Sequence, residues 1–160
     1  MTAIADKIVT FRLGDDLFAA DIFAVERVLR WQQPTVVPDM PPWIVGVIDY
    51  QSRVVPVIDL RRRFEMPTRE LRPETRLIVF HAGTEWVAAV VDSVVEVTGL
   101  DSSKLAPPPA IFRGLAGEYL KGLVRAGDHL VVMLDAERLL SSSERLTLKS
   151  ASDTLEAAHG

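Results

Sequence analysis

Three histidines, a run of three serines and a scatter of carboxylates are the side chains here that could do chemistry. A bound metal needs imidazoles and carboxylates at ligand spacing, and His81, His129 and His159 fit no HxxE, HExxH or HxH pattern. His81 and His129 fall at or beside expected hairpin turns and His159 in the tail, so they read as exposed imidazoles. The chain has no cysteine, which removes disulfides, thiolate metal sites and thiolate nucleophiles. Ser141-Ser142-Ser143 lacks a GxSxG context, and no Ser–Lys pair stands at helical spacing. Neither GxGxxG nor GxxxxGK[ST] occurs, and Gly114-Leu115-Ala116-Gly117 reads as a loop. No catalytic residue, cofactor or metal is expected.

Carboxylate pairs are the remaining catalytic option. Asp49 and Asp59 could share neighbouring strands, as could Asp92 and Asp135. Glycoside hydrolysis of the retaining kind needs two carboxyls about 5 Å apart in a sugar cleft. Asp59 and Asp135 instead hold equivalent places in an internal repeat, which points to capping the turn after a strand. Among the aromatics, Trp43 and Trp86 read as core. Trp31, amid Arg30, Gln32 and Gln33, reads as a partly exposed interface anchor.

Charge narrows the partner classes. The 160 residues carry a formal net charge of -4, against the basic face that nucleic acid requires. Arg53, Arg61, Arg62, Arg63, Arg69, Arg72 and Arg76 nevertheless make the middle of the chain basic between two acidic flanks. That stretch is either a solvated arginine-rich loop or a patch for an acidic partner surface. Apolar runs such as Val87–Val91 are far shorter than the roughly 20 residues that span a bilayer. The N-terminus has no cationic start and no apolar signal core. A cytoplasmic protein without direct membrane insertion is expected.

The elements that must position any site are strands. Lys7–Leu13 and Leu17–Ile22 pair around Gly14-Asp15-Asp16, and Trp43–Tyr50 and Arg53–Leu60 around Gln51-Ser52. Arg76–Phe80 and Trp86–Val91 pair around Gly83-Thr84, and Leu120–Arg125 and His129–Leu134 around Gly127-Asp128. Val and Ile dominate these runs. Phe23–Arg30 could make two helical turns behind Asp21, and Ala136–Leu140 could start a helix continuing into Ser141–Leu148. Prolines 34, 38, 41 and 42 make an irregular crossover, and Pro107–Pro109 an extended connector. Pro56, inside an apolar run, predicts an edge strand or a bulge.

The chain also repeats itself. Phe11 through Ala20 lines up with Phe80 through Ala89, and at the same offset Val25 meets Val94 and Val28 meets Val97. Gly46 through Asp59 lines up with Gly122 through Asp135. Two all-β halves of about five strands follow, at about 7–66 and 75–140, each expected to curl into a small closed barrel. No Gly/Ser linker separates them, so residues 1–160 are read as one domain with a polar tail at 142–160.

Several segments together resemble one family. They are FRLGDDLFAADIFAVERV, TVVPDMPPWIVGVID followed by SRVVPVIDL, VAAVVDSVVEV, and EYLKGLVRAGDHLVVMLDAERLL. They are similar to the chemotaxis coupling proteins of bacteria, the CheW-like adaptors, over roughly residues 7 to 142. The resemblance implies an all-β fold of two small SH3-like five-stranded barrels joined through a common core, with short helices. It implies a non-enzymatic scaffold linking the cytoplasmic tip of a methyl-accepting chemoreceptor to the regulatory domain of a chemotaxis-type histidine kinase. It also implies recruitment to membrane-associated receptor arrays. On this reading Val25, Arg27, Val28, Gln51 and Ser52 bind the receptor, and Ile44, Gly46 and Asp49 bind the kinase.

Two positions depart from the family pattern. Asp49-Tyr50-Gln51-Ser52 stands where the family commonly has Asn-Leu-Arg-Gly, and Arg27 where it commonly has Glu. The Glu–Arg pair of similar adaptors cannot form; Arg27 could pair with Asp49 if their strands are adjacent. Ser52 replaces a turn glycine, so the tip is expected to adopt a conformation that a non-glycine tolerates. The alternatives are an adaptor of another chemosensory pathway (motility, surface sensing, biofilm), a competitor of the standard coupling protein, or a small-ligand-binding β module.

Overall fold

The computed structural model describes residues 6–67, 70–107, 119–126 and 128–139. The expected tail at 142–160, the helix continuation beyond Leu139, His159, the serine run and Gly114–Gly117 lie outside the described residues.

Ten strands form: β1 Asp6–Leu13, β2 Asp16–Asp21, β3 Val25–Arg30, β4 Ile44–Tyr50, β5 Arg53–Asp59, β6 Arg76–Ala82, β7 Glu85–Val91, β8 Ser93–Leu100, β9 Leu120–Ala126 and β10 His129–Leu134. They make two five-stranded sheets, ordered β8-β1-β2-β10-β9 and β3-β6-β7-β5-β4. Advancing every strand by five places turns one order into the other, so the sequence repeat is a repeat of topology.

The halves do not each close on themselves, as the sequence led us to expect. Each sheet takes two strands from one half and three from the other. The swap runs through two parallel ladders, Met133 beside Ala19 and, equivalently, Val57 beside Ala88. Parallel neighbours cannot be joined by a tight turn, so such partners are distant in sequence.

Both faces of the inner strands are apolar, because each sheet has work on both sides. Phe11, Phe18, Ile44, Ile58, Ile78, Phe80, Leu134 and Leu139 meet in a main core drawn from both sheets. Ile48, Val55, Leu77 and Val79 fill a second cluster, and Ile8, Val124, Val131 and Met133 a third. A chain of rings crosses the main core from Phe80 to Phe11, Phe18, Phe64 and Tyr119, with centroids 5.8–6.4 Å apart.

Repeated devices hold the two sheets in their shape. Gly46 and Gly122, at φ +150° and +155°, lie where the crossover passes over the strand. Thr35 bridges to Val47, and Ala106 to Leu123. A Cβ at either glycine would be driven into the carbonyl of Thr35 or Ala106. Asp59 Oδ1 accepts from the backbone N–H of Arg61 at 3.0 Å, and Asp135 Oδ1 from that of Glu137 at 3.2 Å. Both therefore cap the turn after a strand, as the repeat predicts.

The arginine-rich middle is neither a solvated loop nor a patch at its centre. One helical turn, Leu60–Arg63, buries Arg61 and Arg63. Arg61 forks onto the Asp92 carboxylate, with Nε 3.1 Å from Oδ1, and Nη1 donates to the Pro67 carbonyl at 2.8 Å. The Asp92 hydrogen bond, outweighing desolvation, raises the Arg61 pKa above its ordinary value. Arg63 lies between the rings of Trp43 and Tyr119, 3.7 and 4.5 Å from their centroids.

Two other expectations are corrected. Phe23–Arg30 is not a helix: a single 3-10 turn, Ile22–Ala24, leads into β3. Val25 and Leu29 pack against the cores, while Arg27, Val28 and Arg30 are exposed. β5 is not an edge strand, yet its ladder with β7 begins only at Val57, so Pro56 has a neighbour on one side alone.

Candidate functional site

No side-chain constellation in the described residues offers reactive chemistry, and no group of three or more His, Asp or Glu there could hold a metal ion. The features left over are exposed apolar and charged side chains on strand edges. Such features recognise protein surfaces.

The first lies along β3. Asp21 Oδ1 accepts from the Phe23 N–H at 2.9 Å and fixes the 3-10 turn. That turn leaves the Phe23 ring 86% exposed. Glu26 is skipped in the β3–β6 register, a one-residue bulge between Val25 and Arg27. Val25 then packs on the main core, while Arg27 is exposed and Val28 is 37% exposed. Glu26 faces the His81 imidazole, Nε2 to carboxylate oxygen 3.4 Å.

Beside this edge is a cleft of about 280 Å³, with Ala24, Leu134 and Ala136 among its apolar lining. Asp21, His81, Lys121, Asp135 and Glu137 supply its polar groups. Charge of both signs mixed with apolar side chains suits a peptide surface better than a single small anion or cation.

The second feature is the β4–β5 hairpin tip. Gln51 and Ser52 are exposed and take φ +47° and +62°. These left-handed values are those of a two-residue type I′ turn. The tip thus keeps the conformation that favours glycine, contrary to the expectation that Ser52 would relax it. Asp49 is exposed two residues before Gln51.

The structure groups the sequence-derived residues unevenly. Val25, Arg27 and Val28 share one edge of their sheet; Asp49, Gln51 and Ser52 sit at the opposite edge, since β3 and β4 end the order. Arg27 and Asp49 are therefore not on adjacent strands, and among the described residues no ion pair joins them. Ile44 is buried in the main core and Gly46 beneath the crossover. Those two can shape a face but have no exposed side chain to offer. Phe23, His81 and the cleft were not legible as a site, because the segment Phe23–Arg30 read as helix. Trp31, read as an anchor, is half-buried on the second cluster.

Residues 7–144 match the family model described as CheW-like domain. This chain belongs to the CheW-like family. It is 33% identical over 141 residues to the chemotaxis protein CheW of Klebsiella aerogenes, covering 88% of this chain and 85% of that one. It is 30% identical over 137 residues to protein FrzA of Myxococcus xanthus, covering 84% and 85%. The crystal structure of scaffolding protein TtCheW from Thermoanaerobacter tengcongensis superposes with a TM-score of 0.77 at 29% identity, covering 82% and 89%. The CheW-like chain is a non-enzymatic coupling adaptor of chemotaxis signalling, folded as two all-β subdomains.

No helix of the described residues is long and apolar enough to cross a membrane.

Proposed function

We propose that this adaptor bridges the helical cytoplasmic tip of a chemoreceptor and the regulatory domain of a chemotaxis-type histidine kinase. It does so in the cytoplasm, recruited to membrane-associated receptor arrays. The β3 edge meets the receptor. The observation that carries this assignment is the exposure of Val28 beside Arg27 on an edge strand, which follows the Phe23–Ala24 turn that lines a cleft of mixed polarity. A receptor helix docks by apolar anchors, so Val28 supplies affinity, while Val25, packed on the main core, holds the strand in place. Arg27 supplies selectivity and on-rate. Gln51 and Ser52, at the hairpin tip on the opposite edge of that sheet, make a separate receptor contact. The kinase meets the face built on β4, where Asp49 makes the contact while Ile44 and Gly46 fix its shape.

Binding of a purified receptor-tip fragment tests this reading. Val28→Asp abolishes binding with an unchanged circular dichroism spectrum. Arg27→Glu with Gln51→Arg shifts preference toward receptors served by adaptors carrying the common Glu and Arg. Full binding by Val28→Asp, with no shift from the charge swap, puts the receptor surface elsewhere.

A further inference from the structure

The repeat that relates the two halves also relates two junctions between the sheets, and only one of them is closed. Arg61 follows β5 and Asp92 follows β7, and their side chains lock together against the β1–β2 turn. Continued past the strand ends, the repeat sets Glu137 in the place of Arg61 and Phe23 in the place of Asp92. His81 likewise takes the place of Arg12. A carboxylate and a phenyl ring cannot form the tie. The cleft of about 280 Å³ lies at this second junction, lined by Phe23, His81 and Glu137 together with Asp21 and Asp135.

The backbone diverges at the same place. At the closed junction the Asp92 N–H donates to the Arg12 carbonyl at 2.9 Å. Its counterpart, the Phe23 N–H, donates instead to Asp21 Oδ1. Val90 stands at the place of Asp21 in the other half, and its side chain has no acceptor to offer. The aspartate thus holds Phe23 in the 3-10 turn and leaves its ring in water at the mouth of the cleft.

We infer that this cleft receives the guanidinium of an arginine presented by a protein partner, in the role that Arg61 fills at the closed junction. There the fold holds a guanidinium whose side chain is only 10% exposed. In the open cleft the carboxylates of Asp21, Asp135 and Glu137 outnumber Lys121 and His81. A carboxylate has about four acceptor positions, so the caps made by Asp21 and Asp135 leave others for a forked donor. The Phe23 ring offers a face on which a guanidinium stacks, as Arg63 does on Trp43 in this same fold. An ammonium has neither the fork nor the flat face, so arginine is preferred to lysine. The inference does not rest on the receptor reading, and its test contains neither receptor nor kinase.

Amide NMR of the full chain, titrated with N-acetyl-arginine amide, tests it. Saturable shifts appear at Phe23, Ala24, His81 and Asp135 through Glu137, with a millimolar Kd. N-acetyl-lysine amide binds there about tenfold more weakly or worse. Glu137→Gln weakens arginine binding about tenfold. Phe23→Asp with Glu137→Arg installs the pair of the closed junction and abolishes the shifts. Circular dichroism verifies folding of each variant. A native chain without saturable shifts at these residues overturns the inference, as does a lysine amide that binds equally well. Undiminished binding by either variant also overturns it. Cleft resonances that move with protein concentration alone give the cleft to a second copy, again against the inference.

Discussion

The Arg61 guanidinium grips the Asp92 carboxylate across the junction of the two sheets. Arg61 follows the last strand of the first half, and Asp92 stands at the corner where the chain passes from β7 to β8. The same carboxylate accepts from the Gly14 N–H at 2.6 Å, in the β1–β2 turn. One carboxylate thus ties three segments that are remote in sequence.

Removing one member of this tie strands the other in a largely dry site. Arg61→Met or Asp92→Leu alone costs about 3 kcal/mol by chemical denaturation. Replacing both together costs much less than the sum, because no unpaired charge remains. Arg61→Lys also costs more than a conservative change, since an ammonium cannot fork onto the carboxylate and reach Pro67. The pKa of Arg61 is raised on folding. Its contribution is complete below the unfolded value and lost only as pH rises through the higher folded one. The tie therefore does not weaken between pH 7 and about 10.

Gly46→Ala and Gly122→Ala test the repeat as a physical device. Both put a methyl group against a crossover carbonyl at a backbone angle that alanine avoids. Each substitution lowers stability by about 2 kcal/mol or more. The two losses are similar, because the strand, the bulge and the bridge are equivalent. A neutral result at either site means the crossover is not seated there.

The β4–β5 tip holds two non-glycine residues in left-handed conformation. Gln51→Asn with Ser52→Gly relieves that strain and raises stability by about 1 kcal/mol.

Chains covering residues 1–66 or 75–160 alone expose the apolar faces that the other half covers. In the intact fold β1 and β2 lie in one sheet and β3, β4 and β5 in the other. Each fragment aggregates or stays unfolded, read by circular dichroism and light scattering. Two fragments that melt cooperatively by themselves contradict one-domain folding.

The hairpins were legible in the sequence because turn residues and alternating valines report on neighbours along the chain. β3 was not, because Val25-Glu26-Arg27-Val28-Leu29 satisfies helical spacing as well as an edge strand with a bulge. The exchange of strands between halves was also hidden. Periodicity reports which residues are buried, not which strand covers them. Arg61 and Arg63 misled by composition: three consecutive arginines read as solvent-facing, yet Asp92, Trp43 and Tyr119 receive two of them. The capping roles of Asp59 and Asp135 were readable because both recur at one place in the repeat. For the proposed contacts, exposure distinguishes Arg27, Val28, Asp49, Gln51 and Ser52 from Ile44 and Gly46. That distinction depends on the crossover and the second sheet, which no local pattern records.

The central claim is that this chain couples a receptor to a kinase. It is tested most directly by co-sedimentation of the histidine kinase with membranes carrying the receptor, with and without the adaptor. The account predicts that kinase recovery in the pellet rises on adding the adaptor and falls back to the adaptor-free level with Val28→Asp. Kinase that pellets equally with and without the adaptor, or an adaptor that stays in the supernatant in the presence of both partners, contradicts it.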